Sequence, residues 1–236
     1  MLKIIFYTHS DFSDIWPISI GQINYYIPEH NVTIFSDKIN STIPKNWDFI
    51  SYDDNLQYSL RLQNCLKQMK DDTIIFLHED MILYDYPNLK ILEDFFKLVS
   101  TDQADNIKLI KTGNFNRSDL HENLIITPIE LRFSIQPTII KISKLLNIVK
   151  NINPCSIWDF EIKVAKVCEN LNHTKCFMSS TKDEKKRGLS HWDSKIFPYI
   201  ATAICKGRWN YKEYPKEIDN LAKKFNIDLN KRGLIL

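Results

Sequence analysis

Three polar residues, His78-Glu79-Asp80, interrupt the apolar stretch 73-TIIFLHEDMILYDYP-87 where a buried-type strand ends, and Met81-Ile82-Leu83 resume the apolar character at once. Ligands of open α/β sheets collect just beyond the carboxyl ends of the strands, so this is where chemistry is expected. Carboxylate oxygens suit Mg²⁺ or Mn²⁺, ions that keep coordination positions for water and phosphate oxygens. One carboxylate together with a diphosphate could hold such an ion. If the strand stays extended, His78 and Asp80 point to one side and Glu79 to the other. The plainer alternative is a polar strand cap that meets water, with Glu79 or Asp80 bonded to a nearby lysine.

Other stretches also carry side chains suited to reaction or recognition. Thr8, Ser10, Asp11 and Asp14, in 8-THSDFSDIWP-17, offer hydroxyls and carboxylates directly after the first strand. They could read a polar ligand by hydrogen bonds, or form a Ser- and Asp-rich turn for local reasons. Asp159 and Glu161, in WDFE (158–161), open a helical pattern. Ser156 ahead of Asp159 is close to a capping box, in which Asp159 satisfies backbone N–H groups. That account does not cover Glu161. Trp158 presents either a ring for stacking on a sugar face or a buried core ring. Tyr58 and Arg61 share one helix face, from which they could stack on a base or bind a phosphate, or face water.

The elements that must position these groups are legible from periodicity. LKIIFYT (2–8), HNVTIFSD (30–37), DFISYD (48–53) and TIIFL (73–77) read as strands, alternating with helical patterns at 16–27 and 56–70. In the second of these helices Leu62, Cys65, Leu66 and Met69 repeat at i, i+3, i+4, i+7. Leu92, Phe95, Phe96 and Val99 repeat the same spacing after the polar triplet. The second part is less regular. Strands are expected near 107–112 and 123–130, helices near 141–150, 159–171 and 215–225, and a charged, mobile loop over 182–194. The alternation predicts a layered α/β domain, with no linker or repeat dividing the chain.

Composition narrows the function classes. The chain has 236 residues, 44% hydrophobic, 12% aromatic and 25% charged, as expected of a globular protein. A net charge of +2, from 31 basic and 29 acidic side chains, is no footprint for nucleic acid. Five cysteines without metal-ligand spacing read as reduced core residues. The N-terminal apolar run is too short for a signal peptide, and no apolar segment approaches membrane-spanning length. A cytoplasmic protein is therefore expected, in the host cytoplasm if the source is viral.

A buried strand ending in a short acidic motif, between a nucleotide-binding half and a less regular half, resembles the GT-A glycosyltransferases and their DxD-type motif. The likeness extends to 8-THSDFSDIWP-17, which is similar to the loop that receives the nucleotide base, and to YSLRL (58–62), which resembles the helix before the acidic strand. SIQPTIIK (134–141), WDFE (158–161) and FPYIATAICKGRWN (197–210) resemble acceptor-side segments of a GT-A-like group from bacterial and viral polysaccharide clusters. The sequence departs from a strict DxD because His78 occupies the first acidic position. A neutral imidazole can still exchange a hydrogen bond with a ribose hydroxyl.

The resemblance implies a single GT-A-like, Rossmann-type mixed sheet flanked by helices, with residues 1–100 as the nucleotide-sugar half and 101–236 as the acceptor half. It implies transfer of a sugar from a nucleotide-diphosphate sugar, a UDP-sugar, to a glycan or other hydroxyl, assisted by Mn²⁺ or Mg²⁺. Thr8, Ser10, Asp11, Asp14, Tyr58, Arg61, His78 and Glu79 would contact the donor, with Lys186 of the Lys185-Lys186-Arg187 cluster closing over the diphosphate. Asp80 and a late-loop histidine, His191, would hold the metal. Trp158 would meet the acceptor. Asp159 or Glu161 would take the acceptor's proton, with inversion of stereochemistry. Two alternatives stay open: a non-catalytic glycan- or nucleotide-binding protein on a degenerate version of the fold, and a metal-dependent nucleotidyltransferase or phosphohydrolase. The last should carry a second carboxylate pair.

Overall fold

The apolar runs join into one mixed sheet. In the computed structural model, which describes residues 2–188 and 191–236, its eight strands are β1 (Leu2–Tyr7), β2 (His30–Ser36), β3 (Asp48–Ser51), β4 (Thr73–His78), β5 (Asn106–Lys108), β6 (Leu124–Ile126), β7 (Thr138–Lys141) and β8 (Cys176–Ser179). They lie in the order β3-β2-β1-β4-β7-β5-β8-β6. The first four are parallel, β7 runs antiparallel between β4 and β5, β8 is parallel to β5, and β6 is the antiparallel edge. All six residues of β4 are buried, as a central strand covered on both faces requires.

Helices cover the sheet: α1 (Trp16–Tyr26), α2 (Tyr58–Leu66), α3 (Leu89–Ser100), α4 (Ile142–Lys150), α5 (Ile157–Asn170) and α6 (Pro215–Phe225). The spacing read on α2 and α3 falls on the core, with Leu62, Cys65, Leu92, Phe95 and Val99 buried. A second, smaller core of Ile15, Ile18, Ile82, Ile200, Trp209, Tyr214 and Ile218 fastens the C-terminal segment to α1. Of the five free cysteines four are buried and Cys205 is half-buried, in keeping with the reading as reduced core residues.

Three expectations change. The strands expected over 107–112 and 123–130 shorten to β5 and β6, because the chain leaves the sheet for loops and a turn of 3-10 helix (Ile129–Leu131). The charged stretch 182–194 is not a free loop. Lys186–Arg187 pairs with His191–Trp192, and Arg187 is held by Asp193 (2.8 Å) and Glu217 (2.5 Å). Leu189 and Ser190 lie outside the described residues. Finally, extended geometry does not persist beyond His78. The chain turns there, Met81 N–H donating to the His78 carbonyl at 3.2 Å, so His78, Glu79 and Asp80 all reach one cleft.

Candidate functional site

The cleft lies beyond the carboxyl ends of β1 and β4, at about 810 Å³, within the range of small-molecule sites. One wall is the loop after β1 with the start of α2. The turn after β4 also lines it, as do the loop before β7, the start of α5 and the segment around Thr202.

α1 supports this lining. Trp16 Nε1–H donates to Thr8 Oγ1 (2.8 Å), and the Ser19 hydroxyl donates to the Glu79 carbonyl (2.5 Å). Thr8 is further fixed by the Tyr52 hydroxyl, which donates to its carbonyl at 2.6 Å. Ala203 N–H donates to the Asp80 carbonyl at 3.0 Å, tying the turn after β4 to the segment around Thr202. His78 is buried, stacked on Tyr7 with centroids 5.0 Å apart, and shares a 3.2 Å hydrogen bond with the Tyr58 hydroxyl. Burial drives its pKa down to about 3, so the imidazole is neutral.

Glu79 and Asp80 are displaced the other way. Burial, and for Glu79 the adjacent Asp80 charge, raise both carboxyls well above the usual range. Glu79 Oε2 is buried with no hydrogen-bond partner among the described residues. Such a group either keeps its proton or waits for a cation. Electrostatics around it point the same way: the lining holds five carboxylates, Asp11, Asp54, Glu79, Asp80 and Glu161, against Arg61 as its single Lys or Arg. A phosphorylated ligand entering this cleft needs a further positive charge. Among the described residues no group of three or more His, Cys, Asp or Glu side chains is placed to hold a metal ion unaided. The chemistry of the site fits a hard divalent cation shared between Asp80, Glu79 and a ligand's phosphates, since such ions accept few protein ligands.

On α5, Glu161 keeps an exposed flank while its Oε1 accepts Ile135 N–H at 3.0 Å. Loss of solvent around the carboxyl raises its pKa, against the Ile135 N–H and the Lys108 charge, which is the direction a general base needs. Trp158, 71% exposed, forms the rim beside it.

Of the residues singled out by sequence, the structure brings Thr8, Asp11, Tyr58, Arg61, His78, Glu79, Asp80, Trp158 and Glu161 to this cleft. It leaves five elsewhere. Ser10 donates through backbone and side chain to Asp37 (2.7 and 2.6 Å). Asp14 is gripped by Arg232. Asp159 is engaged with Ser156, whose hydroxyl accepts Asp159 N–H at 3.2 Å and donates to Oδ2 at 3.0 Å, the cap geometry. His191 lies on the hairpin, sharing a 2.9 Å hydrogen bond with the Tyr214 hydroxyl. Lys186 sits over the Trp192 ring at 5.5 Å on the same hairpin.

Sequence reasoning missed His9, Asp54, Gln136 and Thr202, all of which line the cleft. His9 Nδ1 accepts Asp11 N–H at 3.0 Å, which leaves the ring proton on Nε2 to donate to Asp54 at 2.9 Å. Asp54 in turn pairs with Arg61 at 2.7 Å, and Arg61 stacks on Tyr52 at 5.3 Å. His9 stood within the loop already singled out. Asp54, in an unpatterned turn, gave no signal.

No protein-family model matches the sequence, and no curated protein matches it. Solved structures do. Among them is a Bacillus anthracis protein provisionally named a glucose-1-phosphate thymidylyltransferase, in complex with sucrose, at 11% identity and a TM-score of 0.50 over 98% of both chains. Staphylococcus aureus TarS 1–349 matches at 12% identity and 0.49, over 95% of this chain and 64% of that one. The glycosyltransferase GlyE of Streptococcus pneumoniae matches at 12% and 0.42, over 77% and 45%. The chain thus spans less than two thirds of the latter two. The fold, a mixed eight-stranded sheet flanked by helices, is the one shared with the Bacillus anthracis protein over nearly the whole of both chains. The sequence has no DxD at the end of β4. No helix among the described residues is long and apolar enough to cross a membrane.

Proposed function

We propose that this protein is a glycosyltransferase that moves a sugar from a nucleotide-diphosphate sugar to a hydroxyl acceptor. The observation that carries the reading is two carboxyl sites brought to one cleft by separate elements: Glu79-Asp80 at the end of β4, and Glu161 on α5. The first suits a diphosphate with a divalent cation. The second suits a base.

In this reading the nucleotide lies along the wall of Thr8, Asp11, Tyr58 and Arg61, with His9 and Asp54 added to the set. Glu161 accepts the proton of the acceptor hydroxyl as that oxygen attacks the anomeric carbon, and the bond to the diphosphate oxygen breaks with its electron pair leaving on phosphate. Attack from the face opposite the leaving group inverts the anomeric centre. Mn²⁺ or Mg²⁺, held by Asp80 and Glu79, would supply charge neutralisation for the departing diphosphate. Trp158 offers an exposed ring to the acceptor. The remaining work is positioning.

A second reading, nucleotidyl transfer to a sugar phosphate, draws on the full-length likeness to the thymidylyltransferase-like protein. A nucleoside triphosphate brings more negative charge than a diphosphate. The loop after β1 that would meet it, 8-THSDFSDIWP-17, contains neither Lys, Arg nor Gly, which favours the first reading.

Calorimetric titration with UDP, GDP, CMP and dTTP, each with Mn²⁺ and with EDTA, followed by transfer assays from the matching nucleotide sugars, tests it. Metal-dependent binding of a nucleoside diphosphate with sugar release is expected. Pyrophosphate release from a triphosphate and a sugar 1-phosphate would replace the reading with the second.

A further inference from the structure

Lys108 on β5 is wholly buried, among the largest fully buried side chains of the protein. Its one side-chain hydrogen bond among the described residues is donated to the Leu131 carbonyl (2.5 Å), and it forms no ion pair there. A buried ammonium without a carboxylate partner is expensive, and an apolar side chain of similar volume would fill the place at less cost. Burial lowers the Lys108 pKa to about 8, with Glu161 among the charges that favour its ammonium form.

The bond to Leu131 is one of a pair. Asn106, two residues earlier and on the same side of β5, donates to the next carbonyl, that of Arg132, at 2.9 Å. Two consecutive carbonyls are thus clamped from beneath by one strand. The loop that follows enters the cleft wall through Ile135 and Gln136. Ile135 N–H holds the Glu161 carboxylate, and Gln136 Oε1 accepts the Tyr199 hydroxyl at 2.6 Å.

We propose that Lys108 is a positioning residue for Glu161: by fixing the Leu131 carbonyl it sets the loop whose Ile135 amide aims the Glu161 carboxylate into the cleft. The proposal rests on the reading of Glu161 as the base. The Lys108 ammonium, which does not line the cleft, is also close enough to Glu161 for the two charges to favour one another.

The test separates the coupling from the activity. Hydrogen exchange of the Ile135 amide is followed by NMR in the full chain, in wild type, Lys108→Met and Lys108→Gln. Both side chains are uncharged and one atom shorter than Lys; Met carries no donor, and Gln keeps one. Exchange at Ile135 should accelerate about tenfold or more in Lys108→Met, while the amides of β5 stay protected. Unchanged protection in a folded variant overturns the proposal, and Lys108→Gln decides if Lys108→Met does not fold.

The kinetic arm then reads transfer. Nucleotide affinity should hold, kcat should fall about 10- to 100-fold, and this loss should vanish on a Glu161→Gln background, where no base is left to aim. Losses that add, or that fall on nucleotide affinity instead, assign Lys108 to general support of the fold and overturn the proposal. If the wild type transfers sugar from no donor, the functional reading fails, while the exchange data still decide whether Lys108 governs the Ile135 contact.

Discussion

Arg232 grips Asp14 with both ends of its guanidinium, Nε donating to Oδ2 at 2.7 Å and Nη2 to Oδ1 at 2.5 Å. The same Arg232 lies over the Phe12 ring at 5.1 Å and donates to the Asp11 carbonyl. The C-terminal segment therefore holds the loop after β1 in place, and Asp14 serves that clamp rather than the cleft. Because Asp14 is 47% exposed, the pair is worth only about 1 kcal/mol. Asp14→Ala should lower unfolding free energy by that amount, Arg232→Ala by more because it also loses Phe12 and the Asp11 carbonyl, and the double variant by little more than Arg232→Ala, as urea denaturation would measure. A complete loss of nucleotide binding in Asp14→Ala, with stability intact, would instead return Asp14 to the donor contacts.

The acidic pair at the end of β4 makes a prediction with opposite signs in two states. Both carboxyls have folded pKa values raised above their unfolded ones, so their contribution is fully present at acid pH and is lost as pH rises through the folded values. At pH 8, without metal, Glu79→Gln and Asp80→Asn should therefore stabilise the protein, by about 1 kcal/mol or ~2–4 °C in Tm. With Mn²⁺ and a nucleoside diphosphate the order should reverse: the wild type gains stability and the variants do not. Undiminished metal-dependent binding by Asp80→Asn would sink the assignment of the pair to a cation.

How much of this was legible beforehand depended on the kind of signal. β4 and its polar end could be read because five apolar or β-branched positions precede three polar ones, and a central strand leaves no other place for such a run. The helical faces of α2 and α3 followed from spacing alone. What could not be read was where the chain turns. Extension beyond His78 would have divided the triplet between two sides, whereas the turn at Met81 gathers it. Asp159 and Glu161 illustrate the same limit. Two residues apart on a helix they point in different directions, and only the position of Ile135, from a distant loop, reveals which one faces the cleft. Lys186 and His191 were placed by analogy with a late loop, and the ion pairs of Arg187 draw that hairpin toward α6 instead.

His173 should give the protein an acid-sensitive step. It is buried, and Asn106 Nδ2 donates to its Nε2 at 3.0 Å, so a second ring proton would meet a donor. Burial, reinforced by Lys144 and Arg132 and opposed by Asp105, lowers its pKa to about 4. With an unfolded value near 6.5, stability is fully present above about pH 6.5 and falls as pH drops toward 4, by at most on the order of 3 kcal/mol. His78 contributes in the same sense. Denaturation of wild type and His173→Gln at pH 7.5 and 4.5 isolates the His173 share, since Gln keeps an acceptor for Asn106 and does not titrate. Equal pH dependence in the two proteins would show that His173 is not the sensitive group.

Glu161 and Asp159 should separate cleanly by substitution. Glu161→Gln keeps an oxygen for Ile135 N–H but cannot take a proton, so transfer should fall about 10²–10⁴-fold with nucleotide affinity unchanged. Asp159→Ala removes a group that does not itself line the cleft and that meets the Ser156 hydroxyl at 3.0 Å. It should cost about 0.5–1 kcal/mol of stability, at the low end of cap effects, and leave kcat within about twofold. The two readouts, single-turnover transfer and urea midpoint, move in opposite variants if the assignment holds. A large kcat loss in Asp159→Ala with normal stability would move the base to Asp159, and would require α5 to rotate its first turn toward the cleft when the acceptor binds.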